Sequence, residues 1–320
     1  MRKNSKFFLG ISCIIVACFC FTTQDMGIKL ISGNYALHQI ILIRSIIAIL
    51  FILLVFVPID GGFKYLLTKQ LGLHLLRGFG LVISNLCYFT ALVTVPLGEA
   101  KAIFFVAPLL ITALSVFLIR EEVGLSSWIV VLVGLFGVII ILRPGFEEFN
   151  PGYILPLVAA LTYALVQILT GKMGENEKAS SMAFYIQLIF IVVSSLFGLF
   201  FGDGHLADPS HPIINYLFRP WTIPSWVDGM IMIGIGLLSG VGAYFISQAY
   251  RISKGSVVAP FEYVALPLAI FWSITLFGDW PDMISWMGIV LIAGAGIFNV
   301  FRKKIQSRTI VLNRPMPINR

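Results

Sequence analysis

Ten apolar runs, each close to the length that crosses a bilayer, recur along this 320-residue chain and leave room for little else. They fall near residues 7–28, 35–57, 72–94, 97–119, 126–143, 152–171, 180–202, 226–250, 256–277 and 282–301. About 30 Å of hydrocarbon takes roughly 20 helical residues, and there each backbone N–H and C=O needs a partner within its own helix or a closed barrel. With 58% hydrophobic residues, 12% charged residues and a mean hydropathy of +0.96, the chain lies far from a soluble domain. The expectation is an all-α polytopic membrane protein.

Orientation follows from the distribution of Lys and Arg, which favour cytoplasmic loops. An N-terminus inside places 17 of the 22 basic residues on the inner side, from Arg2 to the tail after Phe301. Only Lys29, Lys101, Arg143 and Arg219 fall outside, and Arg44 lies within a span. Both termini are expected in the cytoplasm of a bacterial inner membrane. The net charge of +7 then reports topology. No nucleic acid partner is expected, and the basic tail 302–320 meets lipid head groups. The opening "MRKNSKFFLGISCIIVACF" imitates a lipoprotein signal ending at Cys18, but its apolar run continues to Ile28 and counts as a span. Cys13, Cys18, Cys20 and Cys87 all fall inside spans, without metal-like or disulfide-like spacing.

The chain also repeats itself. "QDMGIK" (24–29) aligns with "QILTGK" (167–172), pairing Gln24 with Gln167 and Lys29 with Lys172. "EEVGLSSW" (121–128) aligns with "DWPDMISW" (279–286), pairing Glu121 with Asp279 and Trp128 with Trp286. The matches divide the spans into five plus five, and an odd number per half turns the second half upside down. Inverted repeats with a site at their interface are a transporter signature. The expected units are 1–145 and 146–301. Pro108 in the fourth span and Pro267 in the ninth sit at nearly corresponding positions, and each leaves a carbonyl four residues earlier, on Phe104 or Tyr263, without its helical donor.

The stretch "RGFGLVISNLCYFTALVTVPLGEAKAIFFVAPLLITALSVFLIREEVGLSSWIVVLVGLFGVIIILRPG", Arg77 to Gly145, resembles the third to fifth helices of the EamA-type transporters of the drug/metabolite transporter superfamily. "AYRISKGSVVAPFEYVALPLAIFWSITLFGDWPD", Ala249 to Asp282, resembles the matching block of their second half. The likeness spans 7–301 and implies ten helices as two inverted five-helix repeats around a central cavity, with no cofactor. Members carry amino acids, nucleotide-derived metabolites, vitamins and drugs. The "APFEY…GDWPD" and "GEAKAIFF" blocks look closest to a bacterial branch that includes riboflavin and S-adenosylmethionine carriers.

The residues themselves suggest which groups a solute meets. Arg44 cannot shed its proton, so it must face the interior, with Asp25, Glu99 or an anionic substrate group as its counter-charge. Lys101 follows Glu99 by two residues, pointing about 200° away on a helix; it faces the vestibule or snorkels outward. Gln24 and Gln167 are paired by the repeat. Asn85, Gln187 and Gln248 add polar groups at membrane depth, and Tyr88, Tyr163, Tyr263 and Trp272 offer rings to a planar solute. The substrate-binding set is thus Arg44, Glu262, Gln24, Gln167, Lys101, Tyr263 and Asn85.

Glu262 is also the expected coupling residue. It lies about six residues, roughly 9 Å by helical rise, beyond the inner boundary. There an ionised carboxylate needs a cation, a donor cluster or a wet cavity, and otherwise keeps its proton. Pro260 and Pro267 bracket it with weakened helix, and Ala269 and Ser273 suggest that its face borders a space.

Other patterns carry less. "HLADPSH" (205–211) has no rigid metal geometry, and "LTGKMGE" lacks the first glycine and the Ser/Thr of a phosphate-binding loop. "GLLSG" (236–240) fits close helix packing, inside the chain or at a homodimer seam. The expected function is gradient-driven transport of a small organic solute: a vitamin, a nucleotide-derived metabolite, an amino acid or a drug. A lipid-carrier flippase using Arg44 for a head group is the alternative of another class. An intramembrane enzyme would need paired catalytic groups, and His38, His74, His205 and His211 all lie in loops or near span ends.

Overall fold

The computed structural model of the chain describes residues 2–119, 125–142, 151–174, 176–253, 255–295 and 298. Every regular element among them is helical. Seven helices are long and apolar enough to cross a membrane, and three shorter apolar helices accompany them. In chain order the apolar helices are α1 (Arg2–Ile31), α2 (Leu37–Ile59), α3 (Leu71–Ala91), α4 (Leu97–Leu118), α5 (Leu125–Leu142), α6 (Ile154–Met173), α7 (Ala179–Phe201), α8 (Trp226–Ile252), α9 (Gly255–Phe277) and α10 (Met283–Ala295). A short helix, Pro212–Phe218, lies in the connection before α8. The acidic turn Glu121–Glu122 and the tail after Phe301 lie outside the described residues.

Proline decides where two helices break. α4 runs as Leu97–Phe104 and a second segment from Ala107 onward, parted at Phe105 and Val106 just before Pro108. In α9 a 3₁₀ stretch, Ala259–Val264, contains Pro260 and Glu262 and separates Gly255–Val258 from Ala265–Phe277. The tighter winding is what remains when prolines remove donors from the α-helical ladder. Both weakened segments contribute to the interior described below.

Packing relies on small residues, because lipid tails supply no hydrophobic force between helices. A Cβ on Gly236 of α8 would stand 2.7 Å from Ile47 Cβ and 3.0 Å from the Arg44 carbonyl oxygen, and one on Gly240 would stand 3.1 Å from the Ala48 oxygen. The "GLLSG" stretch therefore seats α8 on α2 within the chain, and it fixes the backbone that carries Arg44. α5 and α10 cross equally closely: a Cβ on Gly137 or Gly288 would meet the other's carbonyl oxygen at 2.9 or 2.7 Å. Large apolar side chains such as Leu54, Phe79, Phe136, Leu199 and Phe200 stay exposed on the outer faces. Such a surface suits lipid and not water.

Three polar side chains near helix ends, Arg77, His74 and His38, are buried. Arg77 lies within α3, almost wholly buried, with Nε donating to Thr170 Oγ1 at 2.9 Å. His74 is buried beside it, its Nε2 3.6 Å from Glu177 Oε2. His38 is likewise buried, stacked on Phe197 with ring centroids 3.5 Å apart.

Candidate functional site: a charged cavity among eight helices

A cavity lies among α1, α2, α3, α4, α6, α7, α8 and α9. Most of its wall is apolar and aromatic, and its charged groups form three separate foci.

The first focus is Arg44, 2% exposed. Its Nη1 and Nη2 approach Asn85 Oδ1 at 3.4 and 3.5 Å, and its guanidinium carbon stands 5.1 Å from the Phe190 ring centroid and 6.0 Å from that of Phe89. Among the described residues no carboxylate comes within 4.0 Å of it; Asp25 acts on it through space without a direct ion pair, and Glu99 makes no such contact. Glu99 instead accepts from Tyr153 Oη at 2.6 Å and Ser285 Oγ at 2.7 Å.

Lys101 and Asp25 form the second focus. Lys101 Nζ donates to Asp25 Oδ2 at 2.5 Å, and both side chains are buried. The lysine points inward over the rings of Tyr88, Phe104 and Phe105, at 5.3, 5.7 and 5.9 Å from their centroids. It does not snorkel, because the acid on α1 and the three rings hold its ammonium inside.

At the third focus, Glu262 accepts from Tyr250 Oη and, at 3.2 and 3.3 Å, from Tyr163 Oη. Its carboxylate meets a donor cluster at the cavity wall, one of the environments such an acid requires. The Cys18 thiol donates to the Glu262 carbonyl at 3.7 Å.

Six of the seven expected site residues line this one space: Arg44, Glu262, Gln24, Gln167, Lys101 and Asn85. Tyr263 does not. Consecutive residues of a helical turn point to different sides, and the Tyr263 ring packs into the apolar core, 5.7 Å from Phe105. Tyr88 and Tyr163 line the wall as expected, whereas Trp272 and Gln248 do not; Gln248 accepts from Arg251 Nε at 3.0 Å. Ala269 and Ser273 do not line the cavity either. Ser273 Oγ accepts from the Gly98 N–H at 3.2 Å, so this face of α9 packs against the start of α4. Ala265 is the α9 residue that opens onto the cavity beside Glu262.

Tyr250, Phe89 and Phe190 were not anticipated. Tyr250 precedes Glu262 by 12 residues across the turn between α8 and α9, a distance no helical period predicts. In the motif "HLADPSH", His205 pairs with Asp203 just before it and His211 with Asp208. Ser210 donates to Asp208 Oδ1 through its hydroxyl at 2.6 Å and its N–H at 2.9 Å. Those bonds, with His211 Nδ1 at 3.0 Å from Oδ2, hold the Asp208 carboxyl below the usual aspartate range.

Comparison with known proteins settles the family. The profile of the EamA-like transporter family matches residues 8–143 and again 150–301. The chain belongs to the EamA-like transporter family. It is similar to a riboflavin transporter of Vibrio cholerae, 29% identical over 256 residues that cover 78% of each chain. It is also similar to S-adenosylmethionine uptake transporters of Rickettsia felis, 26% identical over 77% of this chain and 78% of that one, and of Rickettsia bellii, 25% identical over 94% and 97%. A solved crystal structure shares the fold, with a TM-score of 0.67 and 18% identity over 95% of this chain and 99% of the other. The protein is thus a multi-pass membrane protein of a transporter family.

Proposed function

We propose that this family member is a gradient-driven carrier of a small organic metabolite and that the charged cavity is its substrate site. The observation that carries the reading is the cavity itself, bounded by helices of both matched blocks and charged on three sides in an otherwise apolar wall. Separate foci suit a solute with polar groups at its ends, and the rings of Tyr88, Phe104, Phe105 and Tyr163 suit a planar part between them. The names of the relatives support a vitamin such as riboflavin or a nucleotide-derived metabolite such as S-adenosylmethionine as the substrate class.

The same reading takes 1–145 and 146–301 as inverted five-helix repeats in the inner membrane of a bacterium, with both termini cytoplasmic. Support comes from the two family matches, the proline-associated breaks in α4 and α9 and the asymmetry of Lys and Arg. Glu262 takes up and releases the coupling proton: it faces the cavity, rests on tyrosine donors and sits on the weakest stretch of α9. Purified protein in proteoliposomes, screened for uptake of labelled riboflavin, S-adenosylmethionine, amino acids and nucleotides, tests the proposal. Accumulation of one solute that collapses when the proton gradient is dissipated is expected; uptake of none contradicts it.

A further inference from the structure

We infer that Arg44 is an anion subsite, which narrows the substrate class to solutes with a carboxylate or phosphate group, as in S-adenosylmethionine and not in riboflavin itself, that docks on the open donor edge of its guanidinium. The inference rests on reading the cavity as the transport site. A guanidinium offers five N–H donors, and here they are nearly idle. The two contacts to Asn85 Oδ1, at 3.4 and 3.5 Å, are long for N–H···O bonds, and Nε has no hydrogen-bond partner. The side chain is 2% exposed and lines the cavity.

The nearby acids are already engaged. Asp25 holds Lys101 at 2.5 Å, Glu262 takes the Tyr163 and Tyr250 hydroxyls, and Glu99 takes those of Tyr153 and Ser285. Asp25 acts on Arg44 only through space, without reaching its donors, and arginine does not neutralise itself by losing its proton. An anionic group of the solute in the cavity can take the donors that no protein carboxylate fills. Phe190 and Phe89 attract the guanidinium with their π-systems. Carboxylate and phosphate both match its fork of parallel donors, which is the geometry of the strongest charge-assisted pairs.

Two pairs of solutes, each differing by one anionic group, provide the probes: S-adenosylmethionine with its decarboxylated form, and riboflavin 5′-phosphate with riboflavin. Affinities are measured for the full chain in lipid nanodiscs, with wild type, Arg44→Gln and Asn85→Asp. The first pair reports a carboxylate and the second a phosphate. In at least one pair, wild type should bind the anion-bearing member tenfold or more tightly than its mate, a difference lost in Arg44→Gln. Asn85→Asp is nearly isosteric and sets a carboxylate on the guanidinium, so it should also abolish the preference without removing the arginine. A preference missing from both pairs, or one that survives in both variants, overturns the anion subsite. Uptake of any of the four solutes without such a preference would remove the subsite while leaving the carrier reading intact.

Discussion

Replacing Lys101 by Met should destabilise the protein by about 3–5 kcal/mol, because it strands Asp25 as a buried, unpaired carboxylate. At the observed separation of 2.5 Å, with an effective dielectric of about 20, the Coulomb attraction amounts to about 7 kcal/mol. Desolvating two ions costs several kcal/mol each, so the net worth of the pair against two neutral groups is small. Asp25→Asn alone strands Lys101 and should cost a similar amount, whereas the double variant Asp25→Asn/Lys101→Met should return to within about 2 kcal/mol of wild type. Equilibrium unfolding of all four proteins in mixed micelles measures the cycle. Single-variant losses of no more than about 1 kcal/mol, the range of solvent-exposed ion pairs, would refute the claim that the pair is buried and mutually dependent.

Glu262→Gln preserves shape and the ability to accept from Tyr163 and Tyr250, so it should fold normally yet lose pH-gradient-driven accumulation in proteoliposomes while solute exchange persists; wild-type pH dependence would leave the residue a structural role. Gly240→Leu places atoms where a Cβ alone already meets the Ala48 oxygen at 3.1 Å, and the resulting overpacking should cost about 1–3 kcal/mol in unfolding assays. Lys29→Ala breaks a partly exposed bridge to Asp279 at 3.0 Å and should cost less than about 1 kcal/mol by the same measurement. Cysteines placed in the connection 203–225 should react in intact cells with an impermeant thiol reagent, and cysteines in the tail 302–320 should not; labelling of the tail would reverse the orientation.

Seven of the spans were legible in the sequence because crossing hydrocarbon imposes a length and an apolar composition that few other structures share. The breaks in α4 and α9 were legible for a similarly local reason, since Pro108, Pro260 and Pro267 remove donors wherever they stand. The inward placement of Arg44 followed from the permanence of its charge. Its partner did not, because a pairing between helices depends on their rotation and relative depth, and those placed Asp25 under Lys101. Ala269 and Ser273 misled because small residues mark close helix approach as readily as open space, and here Gly98 fills the gap. Phe190 reaches the cavity, and Tyr250 reaches Glu262, only through tertiary packing, which one-dimensional periodicity does not encode.

The central claim, a mid-membrane cavity through which solute passes, is tested most directly by a single cysteine on its wall. Ser239 lines the cavity beside Gln187, whose Nε2 donates to the serine hydroxyl at 3.2 Å. In a variant with the four native cysteines replaced, Ser239→Cys should be alkylated by a small impermeant thiol reagent added to either side of the membrane, and the transported solute should slow the reaction from both. Reaction from neither side, or from one side only regardless of solute, would contradict a carrier whose site opens alternately to the two compartments.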